Sequence, residues 1–393
     1  MIQRECRLSK KHSFFLFGPR GCGKTTLLRE LFSTEDSLFV DLLDLSTFDE
    51  LILDKSRFGL LIDQPENVNK RVVVDEVQKI PELLDTVHSQ IQQRKRQFIL
   101  TGSSSRRLKQ RGTNLLAGRA WVYNMFPFAS SELGEEFSLK RCLERGALPD
   151  AYLAESDSDV REYLNAYVGT YLQKEIQEER WVRNISPFRK FLDIAAQMNG
   201  KIINKSKIAS EVGVDDVTVA NYFEILEDTL LGFILPSFHL SVRRSQRQSP
   251  KFYFIDPGIK RALDRTLSIP LEPQTSAFGE AFEHWVILEF KKNISYARLD
   301  WELSYLRTKE NLEIDLIIDR PGLKRLLIEI KSKVKVSESD AKSLELLGPD
   351  VDRDAQRWLL SNDPLGQLFG STRAEFWERG IKEIFGKGNP SAL

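Results

Sequence analysis

Four short apolar runs in the first third of the chain each end abruptly in small or charged residues. That is the pattern of strands buried on both faces that present chemistry at their tips. The runs are Phe14–Phe17, the β-branched stretch opening residues 71–81 (RVVVDEVQKIP), residues 97–101, and Trp121–Asn124. From 139 to about 198 the apolar spacing changes to three and four residues, through Tyr163, Tyr167, Val168, Tyr171 and Leu172, which predicts helices with an aromatic core stripe. Residues 204–233 predict a helix-turn-helix. Ile208, Ala209 and Val212 mark the first face, Gly213 the turn, and Val217, Val219, Tyr222, Phe223 and Leu226 the second helix, capped by Asp215 or Asp216. A strand at 252–255 follows, then a turn at Pro257 and Gly258 with Asp256 capping the next helix. An apolar-faced helix at 276–290 and strands at 312–318 and 326–331 complete the pattern. The expected class is α/β in four segments: a phosphate-loop core over 1–135, a helical lid over 136–200, a winged helix-turn-helix over 201–270, and a second α/β domain over 271–393.

The first run leads into GPRGCGKTT, residues Gly18, Pro19, Arg20, Gly21, Cys22, Gly23, Lys24, Thr25 and Thr26, and then into the apolar positions Leu27, Leu28 and Leu31. A glycine-rich loop between a buried strand and a helix is a phosphate cradle. Gly18, Gly21 and Gly23 are expected to take backbone angles that a side chain forbids, so that N–H groups converge on phosphate oxygens. Lys24 would bind the β- and γ-phosphates of ATP, and Thr25 would offer its hydroxyl to Mg2+. Asp75, at the end of the second run, would hold the magnesium ion through water, and Glu76 would polarise the attacking water. Ser103, beyond the third run, would bond the γ-phosphate or that water.

Composition narrows the setting. Hydrophobic content of 41% with 29% charged residues describes a soluble globular chain. No apolar run reaches the roughly 20 residues that span a bilayer, and residues 1–11 are too charged for a secretory signal. A cytoplasmic protein with no membrane partner is expected. Cys6, Cys22 and Cys142 are scattered without metal-ligand spacing, which suits a reducing compartment, and Cys22 alone stands where oxidation or alkylation would reach the loop. Lys plus Arg equals Asp plus Glu at 57 each, so any polyanion site must be local. Between Thr86 and Ser131 there is no acid, while Arg94, Lys95, Arg96, Arg106, Arg107, Lys109, Arg111 and Arg119 accumulate. Such a stripe is a solvated face, a track for a phosphate backbone, or a surface facing a neighbouring subunit's nucleotide. Arg119, closing LLAGR, is a candidate arginine finger in cis or, within a homo-oligomer, in trans. The helix-turn-helix carries no Lys or Arg from Ile208 to Val242, which argues against groove insertion. Arg243, Arg244, Arg247 and Lys251 form a basic wing better suited to a backbone contact.

Asp315 on one predicted strand, and Glu329 and Lys331 alternating on the next, form a second constellation, since residues two apart in a strand share a face. With a helix carboxylate they would bind one or two magnesium ions, while Lys331 orients or deprotonates a water. This is the D…ExK arrangement of restriction-endonuclease-like enzymes. The carboxylates stand within EIDLIID and LLIEI, where burial without a cation is expensive.

These motifs in succession (GPRGCGKTTLL, VVVDEVQKIP, LTGSSS, LLAGR, the FPF at 126–128, SPKFYFIDPGI, FGEAFEHWV, EIDLII and LIEIKSK) span nearly the whole chain. The chain resembles a prokaryotic family of AAA-type ATPases with a C-terminal domain related to PD-(D/E)XK nucleases. The resemblance implies that segment 1–135 is an AAA-type core and 271–393 a nuclease-like domain. It also implies that Glu283 is the helix carboxylate of the metal site, with Glu280 its neighbour, and that Lys174 and Glu175 stand where the family carries an arginine–aspartate pair. The expected function is ATP hydrolysis coupled to action on nucleic acid, DNA rather than RNA. The alternative is a nucleotide switch whose nuclease fold is an inactive binding platform.

Overall fold

The computed structural model describes residues 2–104, 108, 116, 118–171, 185–239 and 249–386. Arg106, Arg107, Lys109, Arg111, Leu172, Lys174, Glu175, Arg243, Arg244 and Arg247 lie outside these residues. Two compact units are formed, Met1–Gly134 with Glu224–Leu231, and Glu135–Phe223 with Gly232–Leu393.

The first unit is built on a parallel sheet in the order β2-β3-β4-β1-β5. Its strands are β1 (Phe14–Phe17), β2 (Ser37–Asp41), β3 (Arg71–Asp75), β4 (Phe98–Gly102) and β5 (Trp121–Asn124). β1, β4 and nearly all of β3 are buried at every position, while the edge strands β2 and β5 are partly open. Phe15, Phe17, Val72, Val74, Phe98 and Leu100 join Leu83, Leu84 and Val87 of helix Leu83–Arg94 in one core. Register sets Phe17 opposite Gly102 and Asn124, so the carboxyl ends of the central strands finish together.

The second unit holds residues of the helical, winged and C-terminal segments, while Glu224–Leu231 of the winged segment group with the first unit. Aromatic packing joins the helical and winged parts: Phe188 and Phe191 of helix Ile185–Gln197 meet Tyr222 and Phe223 of helix Asp216–Asp228, and Phe223 meets Phe252 of the wing. Gly213, at φ 83°, ends helix Lys205–Val212 in the left-handed conformation, and Asp215 is the cap, accepting the Thr218 N–H at 2.6 Å. The wing pairs β6 (Gly232–Leu235) antiparallel with β7 (Lys251–Phe254). Pro257 and Gly258 are not a separate turn: they open helix Pro257–Leu263, where a proline at the first position loses no hydrogen bond. Asp256 caps that helix through Ile259 N and also accepts Ala147 N.

The C-terminal sheet is mixed, in the order β12-β13-β11-β10-β9-β8. It comprises β8 (Glu302–Arg307), β9 (Glu313–Asp319), β10 (Leu326–Lys331), β11 (Gln356–Ser361), β12 (Gln367–Phe369) and β13 (Thr372–Phe376). Helix Ser276–Tyr296 runs past residue 290 because Ile294 continues its buried face.

Candidate functional site

The first unit gathers its functional residues at the carboxyl ends of β1, β3 and β4. Gly21 (φ 76°) and Gly23 (φ 94°) take the left-handed backbone that favours glycine. Gly18 does not; its requirement is space, since a Cβ there would stand 2.4 Å from Met125 O and 2.8 Å from Cys22 Sγ. Gly23 leads directly into helix Lys24–Leu31. The buried Lys24 ammonium donates to Gly18 O at 2.9 Å and Pro19 O at 3.3 Å, and lies 4.0 Å from Glu76 Oε1. Thr25 Oγ1 donates to Asp75 Oδ2 at 2.7 Å. Arg20 and Thr26 are exposed along the loop and helix start, and Pro19 is buried. Cys22 is fully buried, and burial pushes its thiol pKa up against the lowering effect of Lys24 and Arg4, so it is shielded and protonated.

Around the acid pair the structure adds residues that sequence reasoning missed. Thr101 Oγ1 donates to Asp75 Oδ1 and accepts the Glu76 N–H. Gln78 Nε2 donates to Glu76 Oε2, and Ser103 Oγ donates to the same oxygen at 3.2 Å. Ser103 therefore positions Glu76 alongside Gln78. Glu76 itself has left-handed backbone at φ 58°, uncommon for a residue with a long side chain. Arg4, also missed, clamps the loop from behind: its guanidinium donates to Cys22 O, Phe126 O and the buried Glu132.

Arg119 is not brought to this loop. It is exposed and precedes Trp121, which pairs with Phe14 at the opposite end of β1. Arg96 leaves the basic stripe, because it is buried and donates to Ile62 O and Val68 O. Arg94 pairs with Asp63 at 2.5 Å. Lys70, Arg71, Arg94 and Lys95 line a cavity of about 460 Å³ at the amino ends of β3 and β4.

In the second unit, β9 and β10 pair from Leu326 opposite Ile318 to Ile328 opposite Leu316, and there the pairing stops. One residue further, Asp315 Oδ2 accepts the Ile330 N–H at 2.8 Å, so a carboxylate replaces a ladder carbonyl where Asp315 and Glu329 stand. Glu329 Oε1 pairs with Lys331 Nζ at 2.5 Å, and its Oε2 is buried with no hydrogen-bond partner. Glu283 Oε1 accepts the Tyr253 hydroxyl at 2.7 Å and lies 3.5 Å from Lys251 Nζ. Lys251 in turn sits 2.5 Å from Glu313 Oε1. Glu280 stays on the surface near Lys201.

Burial, then Glu329 and Glu283, hold the Asp315 carboxyl well above the usual range. Burial also pushes Glu329 up to about 7 against the pull of Lys331. For Lys251 and Lys331 burial opposes the charge, but the surrounding carboxylates outweigh it and raise both. Among the described residues no three His, Cys, Asp or Glu side chains stand grouped as a metal centre. Glu283 is turned to Tyr253 and Lys251, and one oxygen of Glu329 to Lys331. The buried Glu329 Oε2, which has no hydrogen-bond partner, is the feature that would fit a cation. Lys251, expected on a basic wing, is instead 3% exposed and enters this acid cluster as the first residue of β7. A lone lysine ahead of an apolar FYF run reads as a strand flank, and only the fold reveals its partners.

Residues 10–134 match the family model described as an AAA domain. The N-terminal region is similar to AAA-type ATPases. Residues 136–271 and 278–365 match two further models, each a domain of unknown function. Uncharacterized proteins of Mycobacterium bovis and Mycobacterium tuberculosis are each 25% identical over 313 residues, covering 78% of this chain and 67% of theirs. An uncharacterized protein of Methanocaldococcus jannaschii is 24% identical, covering 86% of this chain and 79% of its own. Among solved structures, a signal transduction ATPase with numerous domains and a tetratricopeptide repeat sensor, from Pyrococcus horikoshii, is 14% identical at a TM-score of 0.23. The match covers 73% of this chain, which spans only 45% of that protein's length.

Proposed function

We propose that the chain hydrolyses ATP in its AAA-type domain, and that its nucleotide state governs a C-terminal acid–lysine site acting on phosphodiesters of nucleic acid, DNA rather than RNA. The observation that carries the first half is the convergence of Lys24, Thr25, Asp75 and Glu76 behind a loop with left-handed glycines. Lys24, now donating to Gly18 O and Pro19 O, would exchange these carbonyls for phosphate oxygens. Thr25 and Asp75 would hold Mg2+, which when bound neutralises charge on the phosphates. Glu76, aimed by Gln78 and Ser103, would accept a proton from the attacking water.

In the C-terminal site Asp315 and Glu329, with Glu283 nearby, would hold divalent cation, which supplies Lewis-acid stabilisation of phosphate. Lys331, held by Glu329, would orient the water or bind the scissile phosphate. Incubating the full chain with single- and double-stranded DNA and RNA in Mg2+ tests this reading. Cleavage should vanish in Lys331→Ala and Asp315→Ala while ATP binding persists, and cleavage indifferent to both changes overturns it. One observation favours a second reading, an inactive platform within a nucleotide-driven switch: three carboxylates of the cluster are already engaged by its own lysines. That reading expects no cleavage by the wild type, and an assembly state that changes with ATP in sedimentation.

A further inference from the structure

We infer that the amino-terminal end of the first unit's parallel sheet is a binding face for single-stranded nucleic acid, on which a row of cations follows the phosphates and Trp121 offers a ring to a base. This face goes beyond the proposed function: it lies in the ATPase unit and stands whether or not the C-terminal site cleaves. Every strand of this sheet runs the same way, so the nucleotide loop gathers at one end and the residues that open each strand gather at the other. Across β3, β4, β1 and β5, which are neighbours in that order, the opening residues are Lys70 and Arg71, then Arg94, Lys95 and Arg96, then Lys10 and Lys11, then Arg119. Backbone and amide contacts tie them into one rim. The Val72 N–H donates to Gln97 O, Gln97 Nε2 donates to His12 O, and the Trp121 N–H donates to Ser13 O, each at 3.0 Å. Adjacent strands lie about 4.8 Å apart, so the row is about 14 Å long, the span of a few phosphates of one strand.

The charge of this end is one-sided. Strands β4, β1 and β5 are entered from stretches of chain, 86–131 and 6–29, that contain no acid. Asp63 answers Arg94 at 2.5 Å and Arg96 at 3.6 Å. Lys10, Lys11, Lys70, Arg71, Lys95 and Arg119 have no carboxylate partner among the described residues. Asp36, exposed before β2, is the one acid among the described residues that line the cavity beside Lys70, Arg71 and Lys95. Lys70 and Arg71 are partly buried there, the first 3.5 Å from Thr34 O and the second 5.2 Å from the centre of the Phe32 ring. Cations set back in a recess reach a thin chain of phosphates better than the flat surface of a bilayer. At the β5 end Trp121 stacks on His12, with ring centres 4.4 Å apart and planes at 18°, and is still 38% exposed. A base free of pairing can stack on such a ring, which favours a single strand over a duplex and nucleic acid over an acidic peptide.

Fluorescence anisotropy of a labelled oligothymidylate, with the full chain in EDTA and no nucleotide, tests this face without either metal-dependent site. Wild type should bind, and its affinity should fall as salt rises. Lys70→Ala combined with Lys95→Ala should weaken binding about tenfold or more and make the salt slope shallower by about 1.4, at about 0.7 per lost cation. Trp121→Leu, which keeps apolar cover on the strand, should weaken it about tenfold with the slope unchanged. Lys331→Ala should bind as wild type does. No binding by wild type overturns the inference. Binding that survives the paired lysine change but is lost in Lys331→Ala also overturns it, while leaving nucleic acid at the C-terminal site. An affinity indifferent to Trp121→Leu reduces the face to a patch for any polyanion and overturns its assignment to nucleic acid. Capture of phosphatidylserine vesicles through the same lysines, with no capture of the oligonucleotide, overturns it in favour of a membrane surface.

Discussion

Thr25 and Asp75, fifty residues apart, are joined by a 2.7 Å hydrogen bond from hydroxyl to carboxylate. Thr101 takes the other carboxylate oxygen. The hydroxyl and the acid that would share a magnesium ion are thus already in register, and binding the ion requires only a change of partners. Thr25→Ala should reduce magnesium-dependent ATP hydrolysis by about 100-fold. Binding of ATP in the presence of EDTA should change little, which equilibrium fluorescence with a labelled nucleotide would measure.

Glu76 and Ser103 are expected to separate cleanly. Glu76→Gln keeps the shape but removes the proposed base, so steady-state turnover should fall by about 100-fold or more while ATP remains bound. Ser103→Ala leaves Gln78 still holding Glu76, and its loss should be about tenfold at most. A Ser103→Ala defect as large as that of Glu76→Gln would mean that the serine contacts nucleotide or water directly.

Arg4 is a stability element of the nucleotide loop. It donates through three nitrogens to Cys22 O, Phe126 O and Glu132, whose side chain is fully buried. Arg4→Ala leaves that buried carboxylate with only the Glu5 and Ala129 N–H donors and should cost about 3 kcal/mol in urea unfolding. Arg4→Lys should recover little, because an ammonium cannot reproduce the forked contact.

His284 should make the protein acid-sensitive. It is fully buried with Nε2 2.6 Å from Phe254 O, and burial lowers its pKa from 6.5 to about 3. The unfolded chain therefore binds a proton that the folded chain refuses throughout this window. Stability from this group is complete above pH 6.5 and declines as pH falls toward 3, by at most about 1.4 kcal/mol per unit. His284→Gln, which can still donate to Phe254 O, should flatten that part of the profile in urea melts taken between pH 4.5 and 7.

The sequence was most legible where one stretch of chain carries the whole argument. GPRGCGKTT needs only a preceding strand and a following helix, and both are present. Asp75 and Glu76 were legible because a run buried on both faces can end in charge only at an edge of the sheet. The alternation of Glu329 and Lys331 marked a shared strand face. Contacts between distant segments were not legible. Thr101 reads as the end of an apolar strand, Gln78 as an ordinary residue after an acid pair, and Arg4 as part of a charged amino terminus. Their roles come from the register of β4 beside β3 and from Phe126 and Glu132 closing over the loop. Lys251 misled for the same reason, since its partners lie 32 and 62 positions further along.

The left-handed backbone at Glu76 is held against that residue's own preference. Glycine or asparagine would adopt that geometry more comfortably, by roughly 1 kcal/mol in the case of glycine. Glu76→Gly should therefore relieve the backbone while removing the carboxylate that Gln78 and Ser103 hold, so a gain in stability with a loss of turnover would separate the two.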